Sequence, residues 1–266
     1  MINYGTMAPN EIRKLISSAQ ITGPTAGMAK GYTQANLAIL KKEYAFDFLL
    51  FCQRNPKSCP LVDVTEVGSY NPSTIANGAD IRTDIPKYRI YKDGVFTEEV
   101  TDIKDYWEDD MVAFLIGCSF TFETPLIEAG IPIRHIEENC NVPMYKTNIE
   151  CAKAGVFEGP TVVSMRPMSQ ADAIRAIQIT SRFPGMHGAP IHIGDPSIIG
   201  INDIHKPDFG DAVTIKEGEI HVFWACGVTP QAPQAVAMQS KPSIMITHAP
   251  GCMFISDLKD EKLSVL

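Results

Sequence analysis

The sequence has no apolar run approaching the roughly 18 residues that a membrane-spanning helix requires, so no such span, and no membrane partner, is expected. It has no CxxC pair, which removes the common structural zinc frameworks. Its seven cysteines are odd in number and scattered, which suits reduced thiols rather than a disulfide scaffold. Positive charge is also scarce: 23 Lys and Arg stand against 31 Asp and Glu, for a formal net charge of -8. The attraction that drives nonspecific binding to nucleic acid is therefore missing. The Gly-rich pattern of a phosphate loop ending in Gly-Lys-Ser/Thr does not occur, so ATP is not implied. Internal repeats and low-complexity tracts are absent as well. The opening MINYGTMAPNEIRK lacks a signal peptide's apolar segment and a transit peptide's Arg-rich character. These absences predict a cytoplasmic protein with a small-molecule partner, no cofactor, and room for a homo-oligomer.

What is present is organised around residues 111–135. An apolar run, Met111 to Ile116, predicts a strand that stops at Gly117-Cys118-Ser119, and Glu123-Thr124-Pro125 marks a helix start. Two later stretches repeat the plan: strand 219–226 running into Cys226-Gly227-Val228-Thr229, and strand 243–247 running into His248-Ala249-Pro250-Gly251. Thr229-Pro230 reads as a further helix start.

Residues 9–20 and 33–54 are read as helices, the second from Leu37, Leu40, Tyr44, Phe48 and Phe51 at helical spacing. The Gly-rich loop 21–27 between them reads as a joining turn, with an anion cradle as the sharper alternative. Residues 88–91 and 95–100 predict a hairpin across Lys92-Asp93-Gly94, and 212–215 with 219–226 a second one. Residues 139–159 look polar and broken, with Lys146, Glu150 and Lys153 on a solvated face. Strand 161–165, a helix capped by Ser169 with Asp172, and strand 190–193 form a strand-helix-strand unit. The alternation predicts an α/β fold: a mostly parallel or mixed sheet flanked by helices, in residues 1–138 and 206–266, with a smaller α+β domain inserted at 139–205.

In such sheets ligands collect beyond the carboxyl ends of strands, which is where the three turns fall. Each residue also has a plainer role: Cys118 and Cys226 as small buried side chains, Ser119 and Thr229 as helix caps, His248 as a turn histidine. Residues 181–196 interleave Arg182, His187, His192 and Asp195 with Gly and Pro, as an ordered loop would. The histidine spacing fits no standard metal pattern, so no metal is expected. Arg134 and Arg166 leave their elements as further anion contacts, one of them expected in an internal ion pair.

The blocks GPTAG, QANL, FCQRNPKSCP, RTDIPKYR, GCSFTFE, NVPMYKTN, VVSMRPM, ITSRFPGMHGAPIH, PDFGDAV, VFWACGVTPQ and ITHAPG run nearly end to end. With them the chain resembles the hydro-lyase family that includes D-glutamate cyclase. It departs from many relatives at Cys252, where His is expected, and at His221, where Pro is more usual, so position 252 is given no catalytic role. The resemblance implies cyclisation of D-glutamate to 5-oxo-D-proline with loss of water. That chemistry needs cations for carboxylates, a base for the amine, oxyanion donors and an acid for the departing hydroxyl. The expected assignment is Arg182 and Arg134 on carboxylates, and His248 and His187 as proton carriers. Ser119, with N–H groups after Gly117 and Gly227, serves the oxyanion, and Thr229 and His192 are further substrate contacts. Cys118 is the alternative nucleophile, disfavoured because a thioester from an unactivated carboxylate is uphill. Competing readings are dehydration of another small hydroxy or amino acid, and a non-catalytic binder of an amino-acid derivative.

Overall fold

The computed structural model describes residues 2–230 and 241–265. Its helices are α1 (Pro9–Ser17), α2 (Lys42–Arg54), α3 (Phe120–Glu128), the single turn α4 (Arg134–Glu137) and α5 (Gln170–Thr180). The strands are β1 (Tyr32–Lys41), β2 (Leu61–Val64), β3 (Tyr88–Lys92), β4 (Val95–Val100), β5 (Met111–Gly117), β6 (Met144–Glu150), β7 (Pro160–Met168), β8 (His192–Ile193), β9 (Ile220–Ala225), β10 (Ile244–His248) and β11 (Phe254–Lys259). They form two sheets, one ordered β2-β5-β1-β10-β3-β4 with β11 beside β1, the other β6-β7-β9-β8.

The fold is mixed α/β, but every neighbouring strand pair is antiparallel, which corrects the expected parallel sheet. The strand-helix-strand unit β7-α5-β8 explains the error. Both of its strands run antiparallel to β9, so they are parallel to each other, yet β9 lies between them. Residues 220–225, read from sequence as part of the main domain, thus form a strand of the second sheet.

The predicted helix 33–54 is the second correction: Tyr32–Lys41 is the central strand of the first sheet, and only Lys42–Arg54 is helical. Residues 33–40 of β1 are all buried because both sheet faces are covered. Leu37 and Ile39 point into one core with Ile90, Leu115 and Ile246; Ala38 and Leu40 point into the other with Phe48, Phe114 and Met245. A strand covered on both faces loses its alternation and mimics a buried helix.

Residues 144–150, expected to be irregular, make β6, while 212–215 form no strand and only the later half of that hairpin exists. The 88–100 hairpin forms, turning at Asp93 with φ 50 and Gly94 with φ 76. Ser169 caps α5 by accepting from the Asp172 N–H. Helix α3 begins at Phe120, before the expected Glu123. The helix expected after Thr229-Pro230 falls on 231–240, outside the described residues.

Candidate active site

A cavity of about 360 Å³ lies between the two sheets, at one end of the first. Its walls come from Asn36 on β1, Arg89 and Tyr91 on β3, Cys118 and Ser119 after β5, and Thr247 and His248 at the end of β10. The second sheet contributes Met144 from β6 and Cys226 just after β9. All three strand-end turns singled out in the sequence therefore reach one cavity. Phe120, Val142, Phe209, Val228 and Met253 make much of the rest of the lining apolar.

Ser119 precedes α3 but makes no capping bond. Its Oγ instead accepts from Arg166 Nη2 at 3.1 Å. A guanidinium can only donate, so this contact uses a serine lone pair and leaves the hydroxyl hydrogen available to the cavity. Arg166 is 1% exposed, and its other hydrogen bonds go to Ser164 Oγ (3.1 Å) and to Glu123 Oε1, through Nε at 3.1 Å and through Nη2. Its guanidinium sits beside a contacting pair of rings, Phe122 and Trp224, 5.3 and 5.4 Å from their centroids. Glu123 also faces His135 Nε2 at 3.3 Å. Burial alone would raise the Glu123 carboxyl, but Arg166 and His135 outweigh it and hold the group below its ordinary range. The result is a buried charge network directly behind Ser119.

On the opposite side, Asn36 Nδ2 donates to the carbonyls of Gly117 (2.9 Å) and Ile116 (3.3 Å). Those two acceptors fix the amide orientation and turn Oδ1 toward His248 Nε2, 3.1 Å away. His248 Nδ1 lies 2.7 Å from the Ala249 carbonyl. Both ring nitrogens thus face oxygen, and only an imidazolium could donate to both. Burial opposes this and pushes the ring down to about 4, the Ala249 carbonyl favouring the proton and Arg89 opposing it. Burial prevails without a counter-charge, because an unpaired buried cation is the costlier state. The neutral ring therefore donates to one of these two oxygens and not to both.

The glycines at these turns serve close approach. A side chain on Gly227 would collide with the Asn36 amide, and one on Gly117 with Met186 and the Gly185 carbonyl. The loop 21–27 braces the His248 turn: Thr25 N–H donates to the Gly251 carbonyl (2.9 Å), and Thr25 Oγ1 accepts from Met253 N–H (3.0 Å).

The other predicted residues lie elsewhere. His187 is buried behind Gly117, with Nδ1 2.7 Å from the Lys57 carbonyl, and burial pushes it down to about 4. Thr229 is buried and takes the Val162 N–H on its hydroxyl at 3.0 Å. His192 stands on β8 against the Asp195 carbonyl (2.8 Å). Arg134 is paired with Glu219 (2.6 Å) and Glu137 (3.2 Å). Arg182 is exposed and lines a separate cleft with Lys30 and Lys259. Among the described residues no group of three or more His, Cys, Asp or Glu side chains is placed to hold a metal. Burial pushes the Cys118 thiol up to about 12, so it carries almost no thiolate near neutrality.

Asn36, Arg89 and Glu123 were not singled out for this site from the sequence. Asn36 was hidden in the supposed helix. Arg89 carried no local signal, since Tyr88 and Ile90 on one face of β3 and Tyr91 on the other are all buried.

The family described as D-glutamate cyclase matches residues 112–257. A Geobacillus kaustophilus protein named "Putative hydro-lyase" is 68% identical over 260 residues, covering 98% of each chain. A like-named Bacillus subtilis protein is 65% identical, covering 98% of this chain and all of its own. One from Thermoanaerobacter pseudethanolicus is 66% identical over 263 residues, 99% of this chain and 98% of that one. Matches of this extent and identity place the chain in the D-glutamate cyclase family.

Proposed function

We propose that the chain is a hydro-lyase that interconverts D-glutamate and 5-oxo-D-proline, with the cavity between the sheets as its active site. The observation that carries this reading is the convergence of Ser119, held as a hydrogen-bond donor by Arg166, and the Asn36–His248 pair on one cavity. In the forward direction the α-amine lone pair attacks the carbon of the protonated γ-carboxyl group. Ser119 Oγ–H stabilises the resulting oxyanion. The amine proton passes to His248 and then to the departing hydroxyl, which leaves as water as the ring carbonyl forms. His248 thereby visits the imidazolium state that its two oxygen contacts favour. Because the ring closes within one molecule, orientation in the cavity can replace activation of the carboxyl by ATP. With its thiol held protonated, Cys118 serves as cavity wall.

Incubation of the folded protein with D-glutamate, L-glutamate and each enantiomer of 5-oxoproline, followed by chiral chromatography, tests the reading. Interconversion confined to the D series is expected. Absence of conversion in either direction, with and without added divalent metals, would rule it out.

A further inference from the structure

We infer that Arg89 anchors the ligand's single carboxylate, and that the cavity selects monocarboxylates without an ammonium group, ring forms before zwitterionic amino acids. The inference rests on the cyclase reading for its ligand class but draws on a separate observation, the charge inventory of the cavity wall. Among the described lining residues Arg89 is the only Arg or Lys, and there is no Asp or Glu. Residues 231–240, the one internal stretch not described, contain no Asp, Glu, Lys or Arg either and can add none.

Arg89 has donors to offer. Its Nε goes to Glu99 Oε1 at 2.9 Å, and that carboxylate is shared with Lys87 Nζ at 3.7 Å. Two cations around one carboxylate leave the cluster with a net charge of +1. Among the described residues Glu99 is the one carboxylate paired with Arg89; the guanidinium also shares a side-chain hydrogen bond with the neighbouring Tyr91 hydroxyl and lies 5.6 Å from the Phe96 ring centroid, which leaves N–H donors over. A guanidinium edge facing a cavity otherwise rich in Phe, Met and Val fits one carboxylate. An ammonium would find no counter-charge there and would have to be stripped of water unpaired.

Free glutamate carries two carboxylates and an ammonium, whereas 5-oxoproline carries one carboxylate and a neutral lactam. The two differ in exactly the feature this wall discriminates. D-Glutamate can meet the same inventory by moving a proton from its ammonium to the γ-carboxylate. Net charge is unchanged, and the product is the amine and carboxylic acid pair from which the ring closes with loss of water. Selection against the ammonium is therefore also selection for the reactive protonation state.

The test is a calorimetric titration series with 5-oxo-D-proline, cyclopentanecarboxylate, D-proline and 2-pyrrolidinone. On the unsubstituted protein the first two should bind, with D-proline about tenfold or more weaker than cyclopentanecarboxylate. In Arg89→Met, carboxylate affinity should fall about tenfold or more while 2-pyrrolidinone is unaffected. D-Proline binding as tightly as cyclopentanecarboxylate would overturn the inference, as would a folded Arg89→Met with unchanged carboxylate affinity. Failure of every ligand to bind would overturn it too. The ligand series on the unsubstituted protein is decisive even if Arg89→Met does not fold. D-Glutamate turnover, measured on the same preparation, separates the two claims: turnover without this selectivity sinks the inference alone, and selectivity without turnover sinks the cyclase reading alone.

Discussion

Arg166 and Arg89 stand on two sides of one cavity and differ in what they have left to give. Arg166 is buried, held by Glu123, set beside the rings of Phe122 and Trp224, and bonded to Ser119. Arg89 is part-exposed, gives donors to Glu99 and the Tyr91 hydroxyl, and lines a largely apolar cavity. An arginine enclosed by protein can only position its neighbours, whereas one at a cavity wall can bind. The sequence shows both simply as Arg in a β-strand. Their surroundings, set by residues far away in the chain, separate the roles.

The hardest way to strike this comparison is to remove the buried arginine. Arg166→Met should lower stability by about 3–5 kcal/mol in urea unfolding, because Glu123 is left charged and buried without its main counter-ion. Adding Glu123→Gln should restore part of that loss, and restoration in the double variant is the signature of a pair rather than of lost packing. Arg89→Met, by contrast, should leave stability within about 1 kcal/mol.

Next in size is Ser119→Ala. It removes the donor that Arg166 orients and should lower kcat about 10²–10³-fold with little change in stability or KM. A change confined to KM would mean that Ser119 only binds substrate.

A smaller effect concerns pH. His187 and His248 are both held near 4, against 6.5 ordinarily. Their folded values are depressed, so unfolding exposes rings that take up protons more readily. The stability they confer is complete above the unfolded value and is lost as pH falls toward 4. Asp260, which burial pushes up to about 6, works in the opposite sense across part of the range. Unfolding free energy should therefore drop by about 2 kcal/mol between pH 7 and pH 5. His248→Asn should remove part of that slope, and an unchanged slope in this variant would contradict its assigned state.

Smallest should be Cys118→Ala and Arg182→Ala, each within about threefold of the parent in kcat/KM, a difference under 1 kcal/mol. Loss of all activity in Cys118→Ala would revive covalent catalysis, and a large KM rise in Arg182→Ala would move the carboxylate site to the outer cleft.

How much of this was legible in the sequence depended on distance along the chain. The 88–100 hairpin, the strand ending at Gly117 and the Ser169-capped helix rest on local signals, namely alternation, turn residues and capping pairs, and they were read correctly in kind. Strand β1 was not, because burial on both faces erased its period. Nor was the antiparallel pairing: β1 meets β11 through Ala35 opposite Phe254, and β9 enters between β7 and β8 only after a long connection. The candidate site divides in the same way. The turns at Ser119, Cys226 and His248 were visible because small and reactive residues ended apolar runs. Asn36 was lost with the strand that carries it, and Arg134, a plausible anion contact in sequence, is taken up by Glu219 and Glu137.

The most direct measurement is a structure with 5-oxo-D-proline bound. The account predicts the carboxylate on the Arg89 guanidinium and the lactam oxygen within hydrogen-bond distance of Ser119 Oγ, with Arg166 still on that oxygen from behind. A ligand seated instead in the outer cleft against Arg182, with the cavity between the sheets unchanged, would contradict it.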